Sequence, residues 1–302
     1  MAKAEAGFGR RPLRSALLSD LDRFLSSRLD RLEWNDAQRL GRALGALAWR
    51  LAGRDRERTL AHLAIAFPDW PASRREVTAR ASFRHFGTLL AENLWLRERG
   101  PREVPAHVEV EGWGEVEAAR AARRPILVVS GHCGNWELIH AAFNNRGAGM
   151  SVVARGLDDP ALGDSLLEFR ATFGTRTVVR GQPGAARELL RTMRAENGVL
   201  AMLIDQDTDV DGVWVDFFGR PAWTPAGAAE IASRFRAVVL PVFSERLASG
   251  DHRVRIHPPL ALPADAAAAT QAMTAAIEGQ IRRVPEQWVW MHRRWRRRPA
   301  GN

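Results

Sequence analysis

His132 and Glu137 stand five positions apart in Ser130-Gly131-His132-Cys133-Gly134-Asn135-Trp136-Glu137, directly after the apolar run Ile126 to Ser130. The run reads as a buried strand, and the glycines that follow mark a turn. Catalytic groups collect on loops held at such strand ends. On a regular helix a five-residue step carries two side chains away from each other, so contact between this pair needs an irregular turn, which Gly131 and Gly134 permit. A glutamate folded back onto His Nδ1 fixes the tautomer and leaves Nε2 free as a base. The expectation is therefore a His132/Glu137 general-base dyad.

A second polar cluster, Asp205-Gln206-Asp207, also follows a strand-like run, Gly198 to Ile204. Ligands in open α/β sheets bind beyond the carboxyl ends of strands, so the two clusters are expected to face one site, with Asp205 and Asp207 organising its second wall. Three rival chemistries use the same residues. Cys133 beside His132 suggests a thiol nucleophile, but adjacent residues of an extended segment point to opposite faces. The carboxylates at 205, 207, 209, 211 and 216 imitate a calcium loop whose sixth place is Val210, with the glycine two positions late at Gly212. His132, Glu137 and His140 lack the His-Glu-x-x-His spacing of a zinc site. No metal is expected.

The 302 residues can bury a substantial core, and the single cysteine excludes an internal disulfide and fits a reducing compartment. With 44 Lys and Arg against 35 Asp and Glu, the formal charge of +9 points to an anionic partner: nucleic acid, lipid headgroups or an acidic protein. The tail Arg293-Arg294-Trp295-Arg296-Arg297-Arg298 suits nucleic acid or anionic lipid equally. No nucleic-acid module accompanies it, so a nucleic-acid partner is not expected. No apolar run approaches the roughly 18 residues of a membrane span. Arg10, Arg11 and Arg14 precede an apolar stretch cut by Asp20 and Asp22, so secretion is not expected and the chain is assigned to the cytoplasm. Eleven Trp and no Tyr fit an interfacial aromatic belt as well as compositional drift.

To position these groups the chain must fold in two textures. Its first hundred residues read as helices. Leu13, Leu17, Leu21, Phe24, Leu25, Leu29 and Leu32 give an amphipathic segment that either lies on a membrane or packs on the body. Helices follow at 36–52 and up to Pro68, and a long one is expected from a Ser73/Glu76 capping box to Gly100-Pro101. From about residue 105, strands at 107–111, 126–130, 151–154, 176–180, 199–204, 237–243 and 252–257 alternate with helices opening at Asp159-Pro160, over 183–196 and at Thr224-Pro225. The expected fold is α/β, a largely parallel mixed sheet flanked by helices, with a helical region over 1–104 and a catalytic domain over 105–302. The Ser249-Gly250-Asp251 turn adds one antiparallel hairpin.

Gly131 to Glu137, Asp205-Gln206-Asp207, Asp216 to Pro225, Val239 to Phe243 and Pro285 to Trp295 resemble, in order, the sequence blocks of the bacterial late acyltransferases of lipid A biosynthesis. These belong with the wider glycerolipid acyltransferases, whose signature is a His with an acidic residue five positions on. The resemblance spans about residues 36–298. It implies transfer of an acyl chain from the thioester of acyl carrier protein, or of coenzyme A, to a hydroxyl of a membrane lipid or glycolipid such as a lipid A precursor. It further implies His132 as base, Glu137 as its orienting partner and no cofactor, since the thioester is already activated. Asn135 and nearby amides are expected at the oxyanion, or as a turn. Arg155 is expected at an anionic headgroup, or in solvent. Gln206, Gly219, Arg220 and Pro221 are expected to line the substrate site. Members usually carry a membrane-spanning helix before the region matching residues 36–67, where this chain is charged and amphipathic. Peripheral attachment at the cytoplasmic face of the bacterial inner membrane is therefore expected, with the acceptor open among lipid A precursors, lysophospholipids, aminolipids and pathway-specific products.

Overall fold

The computed structural model describes residues 31–156 and 159–299. The amphipathic segment read from Leu13 to Leu32 lies outside the described residues except at its end, where Leu32 packs against the core. Among the described residues three helices come first: α1 (Trp34–Leu51), α2 (Gly53–Ala66) and α3 (Ala72–Arg99). The capping box at Ser73 does not form. Pro71 takes the N-cap position, which places Ser73 inside the helix, and Glu76 instead bonds Arg80 one turn on. Glycines let α1 and α3 touch backbone to backbone: a Cβ on Gly45 would lie 2.2 Å from Phe83 O, and one on Gly87 2.2 Å from Gly41 O.

The α/β portion then runs α4 (Val104–His107), β1 (Val108–Glu111), α5 (Gly114–Ala121), β2 (Ile126–Ser130), α6 (Glu137–Asn145), β3 (Met150–Arg155), α7 (Pro160–Thr172), β4 (Arg176–Arg180), α8 (Ala185–Arg194) and β5 (Val199–Leu203). It continues with β6 (Gly212–Phe217), β7 (Arg220–Pro225), α9 (Gly227–Phe235), β8 (Val238–Arg246), β9 (His252–Ile256) and α10 (Ala266–Arg283). Seven strands form one sheet in the order β1-β9-β8-β2-β5-β3-β4. The five from β8 to β4 are parallel, and the Ser249-Gly250-Asp251 turn reverses β9 against β8 as expected.

The separate antiparallel ribbon β6–β7 was not expected. Its strands include the Thr224-Pro225 step that was read as a helix start, and α9 begins only at Gly227. Along β2 the side chains alternate between two buried layers, as a strand covered on both faces requires. Ile126 and Val128 pack with Leu138, Ile139 and Phe143 of α6. Leu127 and Val129 pack with Ala228 and Ala229 of α9 and with Met273 and Ile277 of α10. The helices α1 and α3 share the first layer through Trp34, Leu94, Trp95 and Leu96. The strands β2 and β5 are thereby locked side by side, Ser130 opposite Leu203, with their carboxyl ends at one edge.

Candidate active site

The turn after β2 is shaped by two glycines with different tasks. Gly134 has φ +59°, and a Cβ there would stand 2.0 Å from Ser244 O of β8, so only glycine fits. Gly131 admits the carboxylate of Asp205, whose Oδ2 would be 3.1 Å from an added Cβ. The turn is anchored by Gly134 N donating to Gln287 O at 2.8 Å and by the contact of His85 Nε2 with Gly134 O at 3.2 Å.

Because β5 neighbours β2, the carboxylate that reaches His132 is Asp205. Its Oδ1 lies 2.7 Å from His132 Nδ1, while Oδ2 accepts from His132 N at 2.8 Å and from Trp288 Nε1 at 2.7 Å. Burial alone would raise the Asp205 carboxyl, but the His132 charge and these hydrogen bonds hold it at about 2. An ionised acceptor on Nδ1 fixes the proton there and leaves Nε2 with its lone pair. His132 is partly exposed, packs edge-on against Trp136 with ring centroids 4.9 Å apart, and lines a cavity of about 360 Å³.

Glu137 occupies another place. It opens α6, is buried, and takes Arg170 in a two-pronged pair, Nε to Oε2 at 2.8 Å and NH2 to Oε1 at 2.7 Å. Trp136 Nε1 donates to Oε1 at 3.0 Å, and His140 Nε2 lies 2.9 Å from Oε2. Burial opposes the charge, yet Arg170 and His140 outweigh it and keep this carboxyl far below the usual range. The chain continues from His140 Nδ1 to Thr175 Oγ1 at 2.8 Å and on to Asn144 Nδ2 at 2.6 Å. The Glu137-to-His132 contact read from the sequence is thus replaced by Glu137–Arg170 and His132–Asp205, because Arg170 and His140 take both oxygens of Glu137 while β5 beside β2 brings Asp205 to His132 Nδ1. Glu137, His140 and Arg170 still line the same cavity, while Arg170 NH1 is buried within the protein without a hydrogen-bond partner.

The other expected residues divide. Gln206 and Arg155 line the cavity, Arg155 at its rim opposite Arg180 in the β3–β4 register. Asn135 is fully buried, and its Nδ2 donates to Glu92 Oε2 at 3.1 Å and Asn93 Oδ1 at 2.9 Å, so this amide is committed to structure and turned from the oxyanion role. Asp207 is buried and accepts from the Arg297 backbone at 3.1 Å and from Arg296 NH2 at 3.1 Å. Gly219, Arg220 and Pro221 are exposed at the tip of the β6–β7 ribbon and line no part of the cavity. They were read as a site loop, but the ribbon meets the cavity at its other end, through Pro225.

Three features escaped the sequence reading. The first is a buried cluster around Glu92 of α3, whose two oxygens take Arg246 Nε and NH2, each at 2.8 Å, with Gln38 Nε2 at 2.7 Å and His252 Nε2 at 3.1 Å. Burial would raise Glu92, but Arg246 and His252 keep it well below its usual range. It braces the turn after β2 from behind, through Asn135. The only signal in the sequence was a glutamate on the apolar face of α3. The second is the C-terminal segment, which packs on the site. Trp288 bonds Asp205, and fully buried Arg294 donates to Trp223 O and Thr224 Oγ1. Burial lowers Arg294 to about 10 against the pull of Asp205 and Asp207. Arg296 and Arg297 pair with Asp207 and Asp209. Of the tail arginines read as a surface for nucleic acid or lipid, Arg294 is therefore spent inside the protein, and Arg296 and Arg297 are paired with carboxylates at its surface. The third is the apolar lining behind His132: Val128, Ile139, Met150, Val152, Leu166 and Ala201. Among the described residues no His, Cys, Asp and Glu cluster could hold a metal ion, and no helix is long and apolar enough to cross a membrane. Cys133 is buried, and burial together with Asp205 pushes its thiol well above the ordinary value, which removes the nucleophile reading.

Residues 33–297 match the family of bacterial lipid A biosynthesis acyltransferases. Relatives include a lipid A biosynthesis acyltransferase of Haemophilus influenzae, 26% identical over 85% of this chain and 81% of that protein. The lipid A biosynthesis lauroyltransferase of Escherichia coli is 27% identical over 87% and 86%. A phosphatidylinositol mannoside acyltransferase of Mycobacterium tuberculosis is 25% identical over 74% and 72%. With the match running from the first residue before α1 to the arginines that close over Asp207, the chain belongs to the bacterial lipid A biosynthesis acyltransferase family and is an acyltransferase.

Proposed function

We propose that the protein moves a fatty acyl chain from a thioester donor, acyl carrier protein or coenzyme A, to a hydroxyl of a lipid or glycolipid acceptor, with His132 as base and Asp205 as its orienting partner. The carrying observation is the 2.7 Å contact between His132 Nδ1 and the buried carboxylate of Asp205 at the mouth of an apolar cavity. The hydroxyl proton passes to His132 Nε2 as the oxygen attacks the thioester carbonyl. Collapse of the tetrahedral intermediate breaks the C–S bond, and the departing thiolate takes the proton from the imidazolium, which Asp205 stabilises meanwhile. The apolar lining suits the acyl chain. A thioester needs no cofactor, and none enters these steps.

The acceptor is a membrane lipid or glycolipid. Relatives named for lipid A and for phosphatidylinositol mannoside span two headgroup chemistries, and a lipid A precursor is the first candidate. The protein works at the cytoplasmic face of the inner membrane, where the net charge of +9 favours both an anionic surface and an acidic carrier protein. The test is incubation of the purified protein with lauroyl thioesters of acyl carrier protein and of coenzyme A, each against a lipid A precursor, a phosphatidylinositol mannoside and a lysophospholipid, with products read by mass. One donor–acceptor pair should give a product heavier by one acyl group. Free fatty acid as the sole product in all arms would reject transfer in favour of thioester hydrolysis.

A further inference from the structure

Leu40, Leu44, Leu47 and Leu51 of α1 are 38, 40, 49 and 75% exposed. Their 4, 3, 4 spacing stacks them in one stripe about 16 Å long. Burial elsewhere shows the stripe is not an accident of a loosely held helix. The side of α1 about 110° round from the stripe is locked on α3 by the Gly41, Gly45 and Gly87 contacts, which hold the helix against rolling the leucines inward.

The α1–α3 seam separates two kinds of surface. On one side Arg39, Arg42, Arg84, His85 and Arg246 line a polar groove. On the other lies the leucine stripe, and α3 continues it with Leu90, 53% exposed. Leu90 shares its helix face with Phe86, four positions before it, and Asn93, three after it. Phe86 meets the ring of Trp136 at 6.2 Å, Trp136 meets His132 at 4.9 Å, and Asn93 lines the cavity. An apolar path therefore runs from α1 to the catalytic histidine. Arg50, exposed, stands roughly 90° around α1 from the stripe on the side away from α3, while Asp36, nearer the stripe, has its charge met by Arg39 at 2.6 Å.

We propose that this face of α1, with Leu90 of α3, is the surface by which the protein docks on an anionic bilayer, the leucines entering the headgroup boundary and Arg50 meeting lipid phosphates. The charge complementarity of a chain at +9 with such a surface selects the occupant. The placement follows from the reading of the site as a lipid acyltransferase: docking by this stripe sets the cavity mouth at the membrane, where a chain-bearing acceptor can slide along Leu90 and Phe86 to His132 without crossing water.

The full-length protein is mixed with vesicles of phosphatidylglycerol and phosphatidylethanolamine, and sedimentation is compared for wild type, Leu44→Ser/Leu47→Ser, Arg50→Gln and Val77→Ser, the last on another face of α3 and 67% exposed. The leucine pair should weaken binding about tenfold or more, a loss of about 1.4 kcal/mol or more. Arg50→Gln should weaken it less and only at low salt, and Val77→Ser should bind as wild type. Transfer to a short-chain soluble acceptor should stay at the wild-type level in every variant. Wild-type binding by the leucine pair overturns the docking face. So does a lowered melting temperature or a changed sedimentation coefficient in place of the binding loss, since residues 1–30 or a second copy would then be the occupant. Absence of soluble transfer in the wild type instead counts against the enzymatic reading and leaves the vesicle result to stand alone.

Discussion

Asp205→Asn separates the carboxylate that meets His132 in the structure from Glu137, the partner read from the sequence. The native carboxylate takes His132 N–H and Trp288 Nε1–H on Oδ2, at 2.8 and 2.7 Å, and His132 Nδ1 on Oδ1 at 2.7 Å. An asparagine keeps the first two bonds if its oxygen takes the Oδ2 place, and its NH2 then faces Nδ1. The imidazole must accept there, which puts its proton on Nε2 and blocks the base. Loss of the charge removes imidazolium stabilisation of about 4 kcal/mol, for charge centres about 4 Å apart at an effective dielectric near 20. That is about a 10³-fold fall in kcat, and the wrong tautomer carries it toward about 10⁴, as in hydrolytic triads. One bond of three is lost, so stability should fall only by about 1–2 kcal/mol. Glu137→Gln should behave in the opposite way. It leaves Arg170 and His140 facing a neutral amide in a buried site, so its main effect should be on folding, at about 3–5 kcal/mol. The assay is steady-state transfer with parallel thermal melts. Near-normal kcat in Asp205→Asn, with a 10³-fold loss and unchanged melting in Glu137→Gln, would refute the assignment.

Two further outcomes follow from the same geometry. Cys133→Ala should retain transfer within a few fold and cost about 1 kcal/mol of packing, and abolished turnover in a folded protein would restore the thiol mechanism. Stability should fall on acidification in two stages, read from denaturant midpoints against pH. His62, His85, His140 and His257 are lowered by burial, and His292 is lowered to about 4 by burial with His132 and Arg294. Below about 6.5 the unfolded chain binds protons these sites refuse, so stability drops as pH falls from there. Asp205, held at about 2, gives its stabilisation in full above about pH 4 and loses it between 4 and 2. Glu92 and Glu137, also held below their usual range, add to this second stage, so Asp205→Asn should shrink it without removing it and leave the first stage unchanged, and a flat profile between pH 6.5 and 4 would contradict the buried neutral histidines.

The period-two and helical patterns carried the sheet and the main helices, because burial on both faces of β2 and on one face of each helix is written directly into residue spacing. They did not carry strand order. That β5 lies beside β2, and so brings Asp205 to His132, depends on a crossover that places β3 outside β5, and no local pattern encodes it. Spacing along the chain favoured Glu137 for the same reason. The β6–β7 ribbon was hidden because Gly219, Arg220 and Pro221 look like a loop and Pro225 like a helix start, and ribbon pairing is a partner choice. The tail arginines read as surface because nothing near them in sequence supplies Asp207, Asp209 or the Trp223 carbonyl. The Ser73 capping box failed locally, since Pro71 already started the helix two residues earlier.

His132→Ala is the most direct test that a histidine base performs the transfer. Purified variant and wild type are compared in single-turnover reactions with lauroyl thioester and lipid acceptor, with thermal melts and acyl-donor binding as controls for folding and substrate capture. Removal of a general base and of its part in expelling the thiolate should cost at least about 10³ in the rate while melting temperature and donor binding stay near wild type. Turnover within tenfold of wild type in the folded variant would contradict the mechanism.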